Sequence, residues 1–137
     1  MAISSRRQGR EAALQLIYLV DLCQLEVDKI EAVWADEPLA AKTKEFARHL
    51  AAGTVAHWDR IDALVTHYAK NWEIKRMATI DRCIMRIASF ELLEDLETPV
   101  NVIINEAVEI AKKYSTAESS KFVNGILDKI KEERKNG

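Results

Sequence analysis

Long stretches of this sequence run without a helix-breaking residue, and this feature constrains the fold more than any other. The chain has 137 residues but only four glycines and two prolines. Between Pro38 and Pro99, apolar residues recur at three- and four-residue steps, which is the spacing of one face of a helix. The sequence therefore predicts an all-α fold in a single domain. An interruption at residues 70–75 predicts two three-helix subdomains packed together, approximately residues 1–70 and 76–131.

The middle of the chain carries one continuous apolar seam over residues 46–68. Gly53 lies on this seam, where a glycine costs about 1 kcal/mol relative to alanine, so we expect a neighbouring helix to approach closely there. His57 lies on the same seam and is predicted to be a hydrogen-bonded structural histidine. The first helix should run to about residue 24 and is apolar almost all round from residue 12, which predicts a central helix. A short helix is predicted over residues 27–34.

Two amphipathic helices are predicted in the last third of the chain, over residues 100–114 and 122–130. Ser115 and Glu118 have the spacing of a capping box for the last helix, and Ser119 is a second candidate for its N-cap. The charged run after residue 129 is mixed in sign, so we expect a solvated, fraying helix end.

Catalytic and metal-binding motifs are not found. The three histidines lack the i, i+4 spacing that would place two of them on one helix face, and no glycine-rich phosphate loop, CxxC or GxSxG is present. Cys23 and Cys83 lie in apolar patterns, which predicts buried free thiols in a reducing cytoplasm. No apolar run reaches the roughly 18 residues of a membrane span, and a signal peptide is not evident. We expect no enzyme, no cofactor and no metal.

The start of the first helix carries a local positive patch. With a net charge of −2, any affinity for nucleic acid must come from such a patch. Cations at a helix N-terminus oppose the helix dipole, so the patch indicates an anionic ligand, against the alternative of a solvated helix start. Ser4 or Ser5 is the predicted N-cap. Four side chains share one sector of about 120° on this helix: Arg6, Arg7, Arg10 and Tyr18.

Three segments of the sequence carry a family resemblance, in order and over nearly the whole chain. They are RRQGREAALQLIYLVDL near the start, RMATIDRCIMRIASFEL at residues 76–92, and INEAVEIAKKY followed by SSKFVNGILDKI at residues 104–130. Together they resemble the NusB family of bacterial transcription antitermination factors. The resemblance implies a NusB-like all-α fold and an RNA-binding role without catalysis.

The resemblance also implies partners and a binding surface. NusB proteins pair with the NusE ribosomal protein (ribosomal small-subunit protein ten), and the pair loads single-stranded boxA RNA of ribosomal RNA leaders onto a transcribing RNA polymerase complex. Some members form homodimers that cover the RNA surface. The RNA-binding positions of the family match nine residues here: Arg6, Arg7, Arg10, Tyr18, Asp81, Arg86, Glu118, Lys121 and Phe122.

The sequence departs from the family pattern at Gln8 and Gly9, which interrupt the arginine run, and Glu118 repels phosphate. We therefore expect modest RNA affinity without a partner protein. Reversing the charge of Arg7 or Arg10 should weaken RNA binding without unfolding the protein.

Several interpretations stay open. Arg82 and Arg86 are spaced to meet two phosphates, or to pair with Asp81, Glu91 or the acids of the fifth helix. Phe122 also fits the core pattern. Two other functions compete: the NusB-like RNA-binding part of a ribosomal RNA methyltransferase, and a helical protein-interaction module that does not bind RNA.

Overall fold

The computed structural model describes residues 4–24, 26, 29, 34, 38–70 and 72–134. All regular structure in these residues is helical, which confirms the all-α prediction. The six α-helices are α1 Ser5–Cys23, α2 Ala41–Ala56, α3 Trp58–Ala69, α4 Thr79–Glu94, α5 Val100–Tyr114 and α6 Ala117–Ile130. Short 3-10 helices lie at Ile74–Arg76 and Lys131–Glu133. The helix predicted over residues 27–34 falls almost entirely outside the described residues, and the division into two subdomains stays a prediction.

The central helix is α4 rather than α1. Twelve of the sixteen residues of α4 are buried, and it contacts all five other α-helices. The buried residues of α1 end at Ile17, and Leu22 near its C-terminus is 51% exposed. The prediction of a central α1 was wrong because an apolar composition does not show which side chains find a neighbour. Arg86 and Glu91 of α4 can be buried because each is paired with an opposite charge, as described below.

The apolar seam of residues 46–68 is divided between two helices. His57 has φ −113° and ψ 19°, which ends α2, and α3 begins at the next residue. The Nδ1 of His57 donates to the Gly53 carbonyl at 2.9 Å, and its Nε2 lies 2.9 Å from Glu94 Oε1, which confirms a structural histidine. A Cβ at Gly53 would overlap the ring of Phe90 on α4. The predicted close approach at Gly53 is therefore confirmed.

Side-chain caps fix the starts of α1 and α6. Ser4 Oγ accepts from the backbone N–H of Arg7 at 3.0 Å, so the first of the two predicted N-caps is confirmed. The capping box at Ser115 is wrong. The N-cap of α6 is Thr116, whose Oγ1 accepts from the backbone N–H of Ser119 at 2.9 Å, because Ser115 is still the C-cap of α5 and α6 begins at Ala117.

Arg134, at the end of the described residues, caps α4, which contradicts the prediction of a solvated helix end at this residue. Arg134 donates from Nε to the Leu92 carbonyl at 2.8 Å and from Nη2 to the Asp95 carbonyl at 2.7 Å. These are the carbonyl groups that the end of a helix leaves without an internal partner, and a cation there also complements the helix dipole. A tertiary contact of this kind is invisible in a charge pattern.

The two cysteines differ in exposure, although both are free. Cys83 is buried in α4, and its burial raises the pKa of the thiol to about 12. Cys23 is exposed at the end of α1, so the prediction of a buried thiol holds only for Cys83. No helix in the described part of the chain has the length and apolar character needed to cross a membrane.

Candidate nucleic-acid interface

Two of the three N-terminal arginines are bound to carboxylates of other helices. Arg7 donates from Nε and Nη2 to Glu106 of α5 at 2.7 and 2.6 Å. Arg10 donates from Nε and Nη2 to Glu91 of α4 at 2.9 and 2.8 Å. Both contacts have the two-point geometry that makes arginine–carboxylate pairs strong and directional. Arg7 and Arg10 therefore join α1 to its neighbours.

The two ion pairs differ in solvent exposure. Arg10 is 6% exposed and Glu91 only 1%, and this burial raises the pKa of the Glu91 carboxyl. Arg7 and Glu106 keep partial contact with solvent, and the hydrogen bond from Arg7 lowers the pKa of Glu106. The expectation that Arg10 can be reversed without unfolding the protein is therefore revised, since the change would place a second carboxylate beside Glu91.

Arg6 is the exposed arginine of the patch. Its guanidinium carbon lies 4.1 Å from the centre of the Phe46 ring on α2, within the range of a cation–π contact. Among the described residues no carboxylate pairs with Arg6. Gly9 is buried beside the same ring, and a Cβ there would lie 2.7 Å from Phe46 Cδ2. Gly9 thus interrupts the arginine run because α2 packs against α1 at that point.

Tyr18 is 36% exposed and lines a groove of about 540 Å³, which we name the Tyr18 groove. Its walls include Gln8 and Gln15 of α1, Ile80 at the start of α4 and Tyr114 at the end of α5. The hydroxyl of Tyr114 donates to Glu11 at 2.7 Å, which fixes one wall. The structure therefore places Tyr18 beside a second exposed tyrosine.

A second groove, of about 530 Å³, brings four of the predicted site residues together. We name it the Trp72 groove, and its lining includes Trp72, Arg76, Asp81, Glu118, Lys121 and Phe122. It lies where the segment before α4 meets the first turns of α4 and α6. The rings of Trp72 and Phe122 have centroids 6.5 Å apart at an angle of 66°. Phe122 contacts the core with part of its surface and lines the groove with the rest, so both interpretations of this residue hold in part.

Asp81 stands out in the Trp72 groove by its burial. The residue is 6% exposed, and its Oδ1 atom has no hydrogen-bond partner among the described residues. Glu118 and Lys121, which line the same groove from α6, are exposed.

Arg86 lies in neither groove. It is buried on α4, where its guanidinium group bridges Asp21 of α1 at 2.6 Å and Asp62 of α3 at 2.7 Å and stacks 4.0 Å from the centre of the Trp58 ring. Arg82 also binds Asp21, at 2.6 Å. Burial would raise the pKa of Asp21, but the two arginines outweigh it and lower the pKa to about 2.

Pairing with carboxylates, one of the open interpretations of Arg82 and Arg86, is thus confirmed. The partners are Asp21 and Asp62, however, and not the acids considered from the sequence. An RNA-binding role of Arg86 stays a prediction and would require two ion pairs to open.

Trp72 and Arg76 were missed as site residues by reasoning from the sequence. They lie in the short non-periodic segment before α4, where a large aromatic residue has no helical face to join. Trp72 is 55% exposed, the largest fraction among the exposed large hydrophobic residues of the described chain. The sequence signal that could have identified this site is an aromatic residue, Trp72, close to a basic residue, Arg76, in a segment between helices.

Helices packed around α4 and bordered by two aromatic-lined grooves define a small helical binding protein. The model of the NusB family matches residues 7–132, and the chain belongs to the NusB family. It is 43% identical to the transcription antitermination protein NusB of Elusimicrobium minutum, over 98% of this chain and 99% of that one. Members of this family are regulatory factors and not enzymes, in agreement with the sequence analysis.

Solved structures agree with this assignment. T. maritima NusB is 36% identical and superimposes with a TM-score of 0.87 over 98% of this chain and 94% of that one. A chain from a structure of the antitermination factors NusB and NusE in complex with double-stranded RNA is 24% identical, with a TM-score of 0.84 over 96% and 98% of the two chains. At that identity the likeness concerns the fold alone.

Proposed function

We propose that this protein is an RNA-binding transcription antitermination factor that recognises boxA RNA of ribosomal RNA leaders together with the NusE ribosomal protein. The observation that carries the RNA-binding role is the Trp72 groove, in which Asp81, Glu118, Lys121 and Phe122 line one surface. These residues are separated by up to 41 positions in the sequence, yet the fold collects them. Membership of the NusB family supports the antitermination role.

The charge distribution supports weak binding to the RNA backbone. Arg6, Arg76 and Lys121 are exposed, whereas Arg7 and Arg10 are occupied by carboxylates. Three available cations neutralise about three phosphates, which gives a log–log salt slope near −2 for a single strand. Specificity must then come from contacts to unpaired bases, which proteins make with aromatic rings and hydrogen-bonding side chains.

The test is binding of labelled RNA, measured by fluorescence anisotropy at several salt concentrations. We expect single-stranded boxA-like RNA to bind more tightly than duplex DNA. A double-stranded RNA of the same sequence is measured for comparison. Arg6→Glu should weaken binding and flatten the salt slope. Arg60→Glu, at an exposed arginine of α3 that lines neither groove, is the matched control and should leave both unchanged. Equal affinity for duplex DNA and boxA-like RNA would reduce the interaction to nonspecific attraction.

The second part of the proposal is a heterodimer with NusE. It is supported by the family and by the fold, which is shared with the NusB chain of the complex with NusE and double-stranded RNA. Mixing the two purified proteins at micromolar concentration should give co-elution and strengthen RNA binding. Separate elution of the two proteins would contradict it. A protein-interaction module without RNA affinity would instead bind NusE and give no anisotropy change with any RNA.

A further inference from the structure

Trp72 and Arg76 lie outside the positions that the family resemblance assigns to RNA, yet they form one wall of the Trp72 groove. Trp72 is an exposed aromatic side chain next to the half-buried ring of Phe122. The two rings meet edge to face, and more than half of the Trp72 side chain is accessible to solvent. An exposed indole of this kind offers a stacking surface for a planar, apolar group.

The opposite side of the groove contains an unsatisfied acceptor. Asp81 lies in the first turn of α4, where the helix dipole favours an acid. The dipole explains an acid at this position but not its burial, because exposed first-turn acids gain the same interaction without losing water. A buried polar atom without a partner is costly, and Asp81 Oδ1 is such an atom. A hydrogen-bond donor entering the groove would remove that cost.

Two exposed cations, Arg76 and Lys121, lie among the lining residues of the groove. The exposed carboxylate of Glu118 lies there too. The nearest carboxylate to Arg76 is that of Glu73 at 4.0 Å, the limit of an ion pair, and none of the described residues pairs with Lys121. Exposed cations, aromatic rings and a buried acceptor match the three parts of a nucleotide: phosphate, base face and base edge.

We propose, on the basis of the RNA-binding function proposed above, that the Trp72 groove holds one unstacked base of single-stranded RNA that carries an exocyclic amino group. Trp72 is the stacking residue, and Asp81 accepts the amino hydrogen. Cytosine, adenine and guanine carry such an amino group. In place of the cytosine amino group, uracil has the O4 carbonyl oxygen, which a carboxylate repels, and it keeps only its ring N3–H as a donor. Carboxylate side chains accept from the cytosine amino group in the same way when proteins read nucleic acids.

The first experiment compares oligocytidylate and oligouridylate of equal length in the anisotropy assay. The parent protein should bind oligocytidylate about fivefold more tightly, the lower end of the discrimination that a good base-edge contact gives. Asp81→Asn keeps the shape but replaces one acceptor with a donor, so the preference should shift towards uracil. Asp59→Asn, at an exposed first-turn acid of α3 outside the groove, is the matched control and should keep the parent ratio. Circular dichroism of each variant verifies the fold.

A second experiment addresses Trp72 separately. Trp72→Ala should lower the affinity for oligocytidylate about tenfold, whereas Trp72→Phe should keep most of it, because base stacking on an aromatic ring contributes on that scale. Leu96→Ala removes an apolar side chain of comparable exposure from the loop before α5 and should have no effect. RNA should also quench tryptophan fluorescence in the parent protein more than in Trp72→Phe, because Trp34 is buried and Trp58 is covered by Arg86.

The outcomes separate this assignment from the general RNA-binding role. If the parent protein binds both oligomers equally, or if Asp81→Asn keeps the parent ratio, the base assignment is overturned while RNA binding stands. If Trp72→Ala behaves like Leu96→Ala, Trp72 does not stack on RNA. Loss of NusE co-elution in Trp72→Ala with unchanged RNA affinity would assign the groove to a protein partner. No binding of any RNA by the parent protein would overturn both proposals.

Discussion

Arg7 and Arg10 near the start of α1 are each paired with a carboxylate, whereas charged side chains in the Trp72 groove are left without a partner. Arg7 and Arg10 each make a two-point contact with a carboxylate of another helix. In the groove, Asp81 Oδ1 lacks a partner, and so does Lys121 among the described residues. Similar residue types therefore have different consequences in the two regions. Closed networks determine how helices pack, and open groups are available to a ligand.

The comparison also explains why residues near the N-terminal patch differ in accessibility. Arg6 is exposed and contacts the Phe46 ring. Arg7 is partly exposed and paired with Glu106, and Arg10 is buried and paired with Glu91. A phosphate group can approach Arg6 without displacing a carboxylate. It must compete with Glu106 for Arg7, and it cannot reach Arg10 unless α1 moves. Four predictions test the difference between closed and open groups, from the largest expected effect to the smallest.

Removing Arg10 should have the largest effect on stability. Arg10→Ala leaves the Glu91 carboxylate unpaired in the core, and breaking a buried pair in this way costs about 3–5 kcal/mol. The free energy of unfolding, measured by urea denaturation, should fall by that amount. The double change Arg10→Met with Glu91→Leu should restore much of it. A loss below 1 kcal/mol for Arg10→Ala would mean that the pair is not closed.

Truncating Ile104 tests the buried apolar face of α5. Ile104 is buried on α5, two residues before Glu106. Ile104→Ala should reduce the free energy of unfolding by roughly 2–5 kcal/mol, the usual cost of removing buried aliphatic atoms. Val102→Ala, at a more exposed position of the same helix, is the control. Equal effects of the two changes would show that the buried face of α5 is assigned incorrectly.

Acid should weaken the other closed network, in which Asp21 binds Arg82 and Arg86. The pKa of Asp21 is lowered from 3.8 to about 2 in the folded protein. Its contribution to stability is therefore fully present above pH 4 and is lost as the pH falls towards 2. The contribution amounts to about 2 kcal/mol, from roughly 1.4 kcal/mol per pKa unit.

The pH dependence of unfolding should therefore be shallower in Asp21→Asn than in the parent protein between about pH 4 and pH 2. Asp128→Asn, at an exposed acid of α6, is the control for the general effect of removing a carboxylate. Identical slopes for the parent protein and Asp21→Asn would contradict the lowered pKa.

Releasing Arg7 should have the smallest effect and should act on RNA rather than on stability. Glu106→Gln removes the charge that holds Arg7, so one more cation becomes available to phosphate. RNA affinity should rise a few-fold, and the log–log salt slope should steepen by about 0.7, the contribution of one phosphate contact in a single strand. Glu109→Gln, at an exposed acid of α5, controls for the change in net charge. If both variants gain equally, Arg7 is not held back by Glu106.

Much of the helical framework follows from the sequence, because helix formation depends on neighbours within a few residues. Apolar spacing predicted α5 and α6, Ser4 was one of the two predicted caps of α1, and Gly53 indicated a close approach that Phe90 provides. One error arose where two local signals were nearly equal. Ser115 and Thr116 can both cap a helix, and only the start of α6 at Ala117 selects Thr116.

The sequence by itself determined which residues form helices and which helix faces are apolar. It also indicated, through three family-like segments, the candidate residues for RNA. The tertiary structure decided which of those residues a ligand can reach. Glu91 lies 81 positions from Arg10, and Glu106 lies 99 positions from Arg7, so no local pattern reveals that these acids occupy the arginines. Trp72 likewise becomes part of a groove only because the start of α6 packs beside it. The sequence gives the charge of each side chain, but its burial and its pairing depend on contacts between segments that are distant in the sequence.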